Sequence, residues 1–351
     1  MKAATDPLPP TASCRLASAP APTAWRRPFP PRPEGKARSH PLVAASLVLA
    51  LTGLAALVTP TAAAAKLRVV SSLQDFASIA GAIGGDRIEV FAIAKGYQDP
   101  HFVDAKPSFV LQLSRANLLI VAGLELEIGY LPPLIDQSRN QAIHPGSAGY
   151  LDASIGCDIL QRPTQVVTRA MGDVHPYGNP HYWTDPENGR VIARSIAARL
   201  TELDAQGGAA YARNLAAFEA RLTAKEQEWY AKTAPYAGTR VVTFHESWPN
   251  FAKRFKLLIV GTVEPKPGIP PTPSHTLEII NLIQTQKVPV ILVEPYFDLK
   301  TPKYIAEKTG AKVLIFYPSV GGTPAIKDYF ALFDIDVDNL VQALAAAKAA
   351  R

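Results

Sequence analysis

Short apolar, β-branched runs alternate with stretches of helical periodicity from Lys66 to the end of the chain. These runs predict strands at 67–70, 87–91, 117–121, 240–244, 257–260, 288–293 and 312–316. Helical stretches lie between successive runs, the first two at about 74–84 and 107–115. Continuous apolar strands that alternate with helices indicate parallel sheets covered on both faces. The pattern therefore predicts an α/β fold with two groups of parallel strands.

A different pattern separates the two groups, from Asp185 to Ala234, where Ala, Leu, Glu, Arg and Lys dominate. A break is expected at Gly207-Gly208, and the following stretch, 209–232, contains neither Gly nor Pro. A helix of about 24 residues would extend about 36 Å, the width of a small domain. A coiled coil is the alternative, but no heptad persists long enough. We therefore predict one long helix that joins two α/β lobes.

The first 65 residues form a leader. Residues 1–41 hold 10 of the 32 prolines and show no apolar periodicity, which excludes a packed core there. The segment 42–65 carries no charge, follows several Arg and Lys residues, and ends in a run of alanines. These features predict a cleavable secretory signal ending near Ala65 rather than a retained anchor, which needs about 20 apolar residues. No Cys directly follows the apolar run, so a lipid-anchored mature end is not expected.

The net charge of +6 comes mainly from that leader. Residues 1–65 hold 7 Lys and Arg against 2 Asp and Glu, so the remainder holds 29 against 28. This balance argues against a body that binds nucleic acid. The two cysteines, Cys14 and Cys157, exclude a disulfide scaffold and a thiolate zinc finger. Cleavage would leave Cys157 alone, and we expect it to be a small buried apolar residue.

Four metal-ligand side chains follow predicted strands or precede predicted helices. They are His101, His181, His245 and Asp298. The carboxyl ends of parallel strands are where open sheets bind ligands. Three imidazoles and one carboxylate suit a tetrahedral dication, with Zn²⁺ as the first choice. The residues are 80, 64 and 53 positions apart, so the site would form only where two lobes face each other. The local motifs of zinc hydrolases are absent.

At these positions the sequence resembles the zinc/manganese-binding solute-binding proteins of bacterial ABC importers. The likeness covers 66–351 and includes Asp-Pro-His at 99–101, Asn-Pro-His-x-Trp-x-Asp-Pro at 179–186, Phe-His-Glu-Ser-Trp at 244–248 and Val-Glu-Pro-Tyr-Phe-Asp at 293–298. The resemblance implies two Rossmann-like lobes bridged by one long rigid helix, with a metal site in the cleft between them. We place the lobes at 66–186 and 239–351, and the linker region with the long helix at 187–238.

The resemblance also implies the ligand set. The first lobe would supply His101 and His181, and the second His245 and Asp298. Histidine rather than glutamate at the third position is similar to the zinc members of the family and unlike the manganese members. The long His-rich loop of many zinc members is absent, and His175 and His144 are its only candidate remnants. We expect His175 to be a cleft-edge or transient metal contact and His144 an ordinary exposed residue.

These inferences predict a periplasmic receptor that captures Zn²⁺ and delivers it to an ABC transporter permease without catalysing a reaction. A monomeric state and loading by a periplasmic metallochaperone are further expectations. The alternatives are a receptor for Mn²⁺ or a chelated metal, a secreted zinc hydrolase with three His ligands, and a surface adhesin. Asp298 distinguishes the receptor from the hydrolase, because its coordination would close the ligand shell.

Overall fold

The computed structural model describes residues 65–168 and 171–349. Residues 1–64, with the predicted signal peptide and Cys14, lie outside the described residues. Within the described part, no helix combines the length and the apolar character that a membrane crossing requires.

The first sheet has four parallel strands. They are β1 (Leu67–Ser71), β2 (Ile88–Ala92), β3 (Leu118–Val121) and β4 (Tyr150–Asp152), in the order β2-β1-β3-β4. The connecting helices are α1 (Gln74–Gly84), α2 (Pro107–Ser114) and α3 (Leu131–Ser138). All four residues of β3 are buried, as expected of a strand covered on both faces.

Two helices follow the first sheet, α4 (Pro186–Leu203) and α5 (Gly208–Thr233). Asp185 caps α4 because its side chain accepts a hydrogen bond from the backbone N–H of Glu187. The predicted break at Gly207-Gly208 is confirmed, and α5 extends the predicted 209–232 by one residue at each end. Phe218, Leu222 and Trp229 are buried along this helix. The long helix between the two sheets is therefore confirmed.

The second sheet repeats the topology of the first. Its strands are β5 (Arg240–Thr243), β6 (Leu258–Thr262), β7 (Val290–Val293) and β8 (Lys312–Ile315), in the order β6-β5-β7-β8. The helices that follow β5, β6 and β7 are α6 (Pro249–Arg254), α7 (Pro273–Gln286) and α8 (Lys300–Thr309). The predicted fold class, α/β with two parallel sheets, is confirmed.

The last helix, α9 (Tyr329–Ala349), packs on α5 rather than only on the second sheet. Phe330 lies 4.9 Å from Phe218 between ring centroids, and Phe333 lies 5.0 Å from Trp229. One hydrophobic core consequently contains residues from both sheets, and a smaller one lies within the second sheet. The residue boundaries given above for the lobes and linker stay a prediction.

A partly buried ion pair also connects the two halves. The guanidinium of Arg254, on α6, donates to both carboxylate oxygens of Asp185 at 2.7 and 2.9 Å. The Asp185 side chain is 1% exposed and that of Arg254 is 32% exposed. Because Asp185 also caps α4, this pair fixes the end of that helix against the second half of the molecule.

Candidate metal centre

Three histidines from separate parts of the chain converge. His101 follows β2, His181 precedes α4, and His245 comes two residues after β5. One ring nitrogen from each lies within 4.8 Å of the others. The ring centroids are 5.1 to 5.4 Å apart. The structure therefore brings together three of the four residues that the sequence predicts as ligands.

His101 and His181 are held by the same local turn. In each, an Asp or Asn two residues earlier accepts a hydrogen bond from the histidine's backbone N–H, as in an Asx turn. The distances to the Oδ1 atoms of Asp99 and Asn179 are 3.0 and 2.9 Å. The same oxygens lie 2.8 and 3.0 Å from the Nδ1 atoms of the two rings. One short side chain thus fixes both the backbone and the ring.

His245 is oriented by a carboxylate from outside its own loop. Its Nδ1 lies 2.7 Å from Oε2 of Glu264, which follows β6. Both side chains are 6% exposed. Burial lowers the pKa of His245, but the hydrogen bond that its ring donates to Glu264 and the charge of Glu294 outweigh this effect and raise the pKa overall.

The remaining ring nitrogens suit a metal. The Nε2 atoms of His101 and His181 are buried without a hydrogen-bond partner among the described residues. With Nδ1–H donated to an oxygen, Nε2 is left with a free lone pair, the form in which imidazole binds metal. Burial and the neighbouring His101 and His245 hold the pKa of His181 well below its usual value, so this ring stays neutral. The residues present therefore fit a divalent cation.

Asp298 lies outside this group of three nitrogens. Its side chain is exposed, and its Oδ1 accepts a hydrogen bond of 2.8 Å from the backbone N–H of Lys300, at the start of α8. It lines a cavity of about 500 Å³ together with His101 and His245. Asp298 therefore shares a cavity with two of the three rings, and its coordination of a metal stays a prediction.

The other histidines occupy different settings. The ring centroid of His175 lies 5.3 Å from that of His101, which places it at the predicted cleft edge. His144 is half-buried, with its Nε2 enclosed, so the expectation that it is an ordinary exposed residue is wrong. It lines a separate cavity with Tyr150, at the end of the first sheet. His275 lies in the first turn of α7, and its Nε2 is 2.9 Å from the carbonyl oxygen of Thr262.

The tryptophans next to the ligands are structural. Trp183 and Trp248 are fully buried. The indole N–H of Trp183 donates to the carbonyl oxygen of Pro318 at 2.7 Å, and that of Trp248 donates to Glu294 at 2.8 Å. Glu294 therefore holds Trp248 rather than a ligating imidazole.

Sequence reasoning missed Asp99 and Asn179. A signal was present, because both histidines occur in Asx-Pro-His, where the Asx side chain can reach the backbone N–H two residues on. The contact between Glu264 and His245 has no local sequence signal, because 19 residues separate them and only the folding of the sheet brings the acid to the ring.

The chain matches the family described as zinc-uptake complex component A, periplasmic, over residues 69–343. It belongs to this family. Membership confirms the predicted resemblance and makes the chain a metal-binding substrate receptor of an ABC importer rather than an enzyme. The match includes all three converging histidines.

Individual relatives are similar over most of their length. The manganese ABC transporter substrate-binding lipoprotein ScaA of Streptococcus gordonii is 27% identical over 311 residues, 85% of this chain and 97% of the relative. The metal ABC transporter substrate-binding lipoprotein SsaB of Streptococcus sanguinis is 26% identical over 288 residues, 80% of this chain and 90% of the relative.

Solved structures share the fold. A zinc-bound deletion mutant of ZnuA is 25% identical with a TM-score of 0.66, over 80% of this chain and 98% of that one. FpvC of Pseudomonas aeruginosa in complex with Mn²⁺ is 22% identical with a TM-score of 0.69. The likeness covers 80% of this chain and 99% of that one. The likeness to FpvC shows the fold alone.

Proposed function

We propose that this chain is an extracytoplasmic receptor that binds Zn²⁺ and delivers it to the permease of an ABC importer. His101, His181 and His245 would bind the ion through nitrogen, and Asp298 would add an oxygen ligand from the second half. The observation that carries the proposal is the convergence of three buried imidazoles, each with its Nδ1 engaged by a neighbouring oxygen.

The donor set favours zinc over manganese. Imidazole nitrogen suits Zn²⁺, whereas carboxylate, carbonyl and water oxygens suit Mn²⁺. Zinc also agrees with the zinc-bound ZnuA structure that shares this fold. Manganese is the second candidate, because ScaA carries manganese in its name. His245 separates the two, since a carboxylate there would supply the harder ligand.

Export to the periplasm is part of the proposal. Relatives are named as lipoproteins of ABC transporters, which act outside the cytoplasm. For this chain we propose a cleavable signal ending near Ala65 without a lipid anchor, because no Cys lies next to the end of the apolar segment, where a lipid would be attached. A monomeric state and a metallochaperone partner stay predictions.

Calorimetry with Zn²⁺ and Mn²⁺, each alone and in competition, tests the proposal. His245→Ala should lower the zinc affinity by orders of magnitude, because it removes one of three nitrogens, while the circular dichroism spectrum stays that of a folded protein. His245→Glu should shift the preference towards Mn²⁺. His275→Ala is the matched control, since it removes a histidine on α7 that contacts Thr262 instead. Unchanged zinc binding by His245→Ala would refute the assignment.

A further inference from the structure

We propose that the cavity lined by His144 and Tyr150 is a second binding site, which takes a small organic ammonium ion with an apolar or aromatic body. The cavity has a volume of about 530 Å³, within the roughly 300–1,000 Å³ of small-molecule sites. Among the described residues, its wall includes none of the three converging histidines. The inference therefore goes beyond the metal centre and does not depend on which metal binds there.

The cavity lies where two strands of the first sheet end. Val121 is the last residue of β3 and Asp152 the last residue of β4, and both belong to its wall. Helix α3 covers another side with Leu131 and Ile135. The carboxyl edge of an open parallel sheet is where ligands bind. Since most of the wall is apolar, it can bury the apolar body of a ligand.

The charge of the wall determines the kind of ligand. Arg162 supplies a guanidinium, and this side chain is exposed. Within the described part of the chain, no carboxyl group of the wall forms an ion pair. These carboxyl groups belong to Glu125, Glu127, Asp136 and Asp152. A cleft lined by an excess of one charge attracts the opposite charge, so the wall favours a cation over an anion.

Aromatic rings make the wall suitable for an organic cation. Tyr150 and Tyr177 both belong to it. Burial, and then the charges of Asp152 and Glu127, raise the pKa of Tyr150 to about 12, so its phenol stays neutral. The face of such a ring attracts an ammonium group within about 6 Å. The Nε2 of His144 lacks a hydrogen-bond partner among the described residues and can accept an N–H.

The loop after β3 is strained where it borders the cavity. Gly123, Leu124 and Glu125 follow one another with φ of 70°, 55° and 68°, in the left-handed region. Residues other than glycine keep this conformation only where the surrounding structure holds them, and they cluster at ligand sites. A side chain on Gly123 would overlap the carboxylate of Asp152. The strained loop thus allows this carboxylate to approach the backbone, and it places Leu124 and Glu125 in the wall.

Calorimetric titration with three ligands of similar size tests this inference. Phenethylamine is a cation, phenethyl alcohol is neutral and phenylacetate is an anion. We expect phenethylamine to bind the zinc-loaded protein in about the millimolar range or more tightly, as its few atoms allow. Its affinity should exceed that of phenethyl alcohol at least about tenfold, and phenylacetate should bind no more tightly than the alcohol.

Two variants each remove one negative charge from the wall. In Asp152→Asn the new side chain can still accept the hydrogen bonds from Ser154. Asp136→Asn is the second test if Asp152→Asn fails to fold, since the exposed Asp136 side chain has no partner in the described chain. Each variant should weaken phenethylamine binding about two- to fivefold and leave phenethyl alcohol unaffected. Asp86→Asn is the matched control, because Asp86 is exposed just before β2, at the opposite edge of the sheet.

Three results would overturn the inference. They are equal affinities for the amine and the alcohol, no saturable binding of the amine, and amine binding that neither wall variant weakens. A lower amine affinity in the zinc-loaded than in the metal-free protein would also overturn it, because the amine would then occupy the metal cleft. None of these results alters the zinc affinity, so the proposed function stands or fails separately.

Discussion

Glu264→Gln tests how much a carboxylate that does not bind the metal contributes to the site. Glu264 Oε2 lies 2.7 Å from Nδ1 of His245, and both side chains are 6% exposed. Glutamine keeps the shape and can still accept a hydrogen bond, but it removes the negative charge. Loss of such a partner costs typically about 10–100-fold in metal affinity, or about 1.4–2.8 kcal/mol. We expect a loss of that size at about pH 8.

The pH dependence gives a second readout. The pKa of metal-free His245 is raised, so protons compete with zinc as the pH falls through that value, which lies above the usual 6.5. In Glu264→Gln the negative charge that raises the pKa of His245 is gone, while burial still lowers it. The pKa of His245 is therefore lower in the variant than in the wild type. Proton competition then begins at a lower pH in the variant. The difference in affinity between the variant and the wild type should therefore shrink towards about pH 5.5.

The assay is calorimetric zinc titration at a series of pH values, with a competing chelator where binding is tight. Glu246→Gln is the matched control. It changes an acid adjacent to His245 whose carboxylate is not a partner of that ring in the hydrogen bonds of the described chain. Equal affinities of wild type and Glu264→Gln at about pH 8, or parallel pH profiles, would refute the reasoning.

Three further changes have definite expected outcomes. Asp298→Ala should lower the zinc affinity in calorimetry, by less than His245→Ala does, and an unchanged affinity would remove Asp298 from the ligand set. Arg254→Ala leaves Asp185 buried without its partner and should cost about 2 kcal/mol in urea unfolding, since Arg254 is partly exposed. Burial raises the pKa of Glu294 to about 7, so its ionisation destabilises the metal-free fold as the pH rises from about 4.5 through 7. Glu294→Gln keeps an acceptor for Trp248 and should be more stable than the wild type by about 3 kcal/mol at pH 8 but not at pH 4; equal stabilities at pH 8 would contradict this.

Most of the secondary structure could be predicted from the local pattern of apolar and polar residues. The apolar runs predict seven of the eight strands, and helix spacing predicts α5 closely, because both signals depend on neighbours in sequence. The strand β4 was missed, since three residues carry too little periodicity. The packing of α9 on α5 was also missed, because amphipathicity shows that a face is buried and not which element covers it.

The site divides in the same way. The order of strands and loops predicts that His101, His181 and His245 meet, because the carboxyl ends of parallel strands lie at one edge. The structure brings these three together. The direction of the Asp298 side chain could not be predicted from the sequence, because a side chain just before a helix can either bond to the backbone at the start of that helix or point into the cleft. The position of His175 next to His101 could not be predicted either, because it depends on the contact between its loop and Pro267.

The oxygens that orient the three rings differ in charge, and their total charge determines which charge of cation the site can balance. The Nδ1 atoms of His101 and His245 are hydrogen-bonded to the carboxylates of Asp99 and Glu264. That of His181 is hydrogen-bonded to the neutral amide of Asn179. With neutral imidazoles and with Asp298 exposed to solvent, as it is in this structure, a dication and these two enclosed carboxylates sum to zero. A sodium or potassium ion would leave one negative charge enclosed, and a ferric ion one positive charge, and either excess is costly away from water. The site is therefore expected to select divalent cations over monovalent and trivalent ones more strongly than it distinguishes one divalent metal from another.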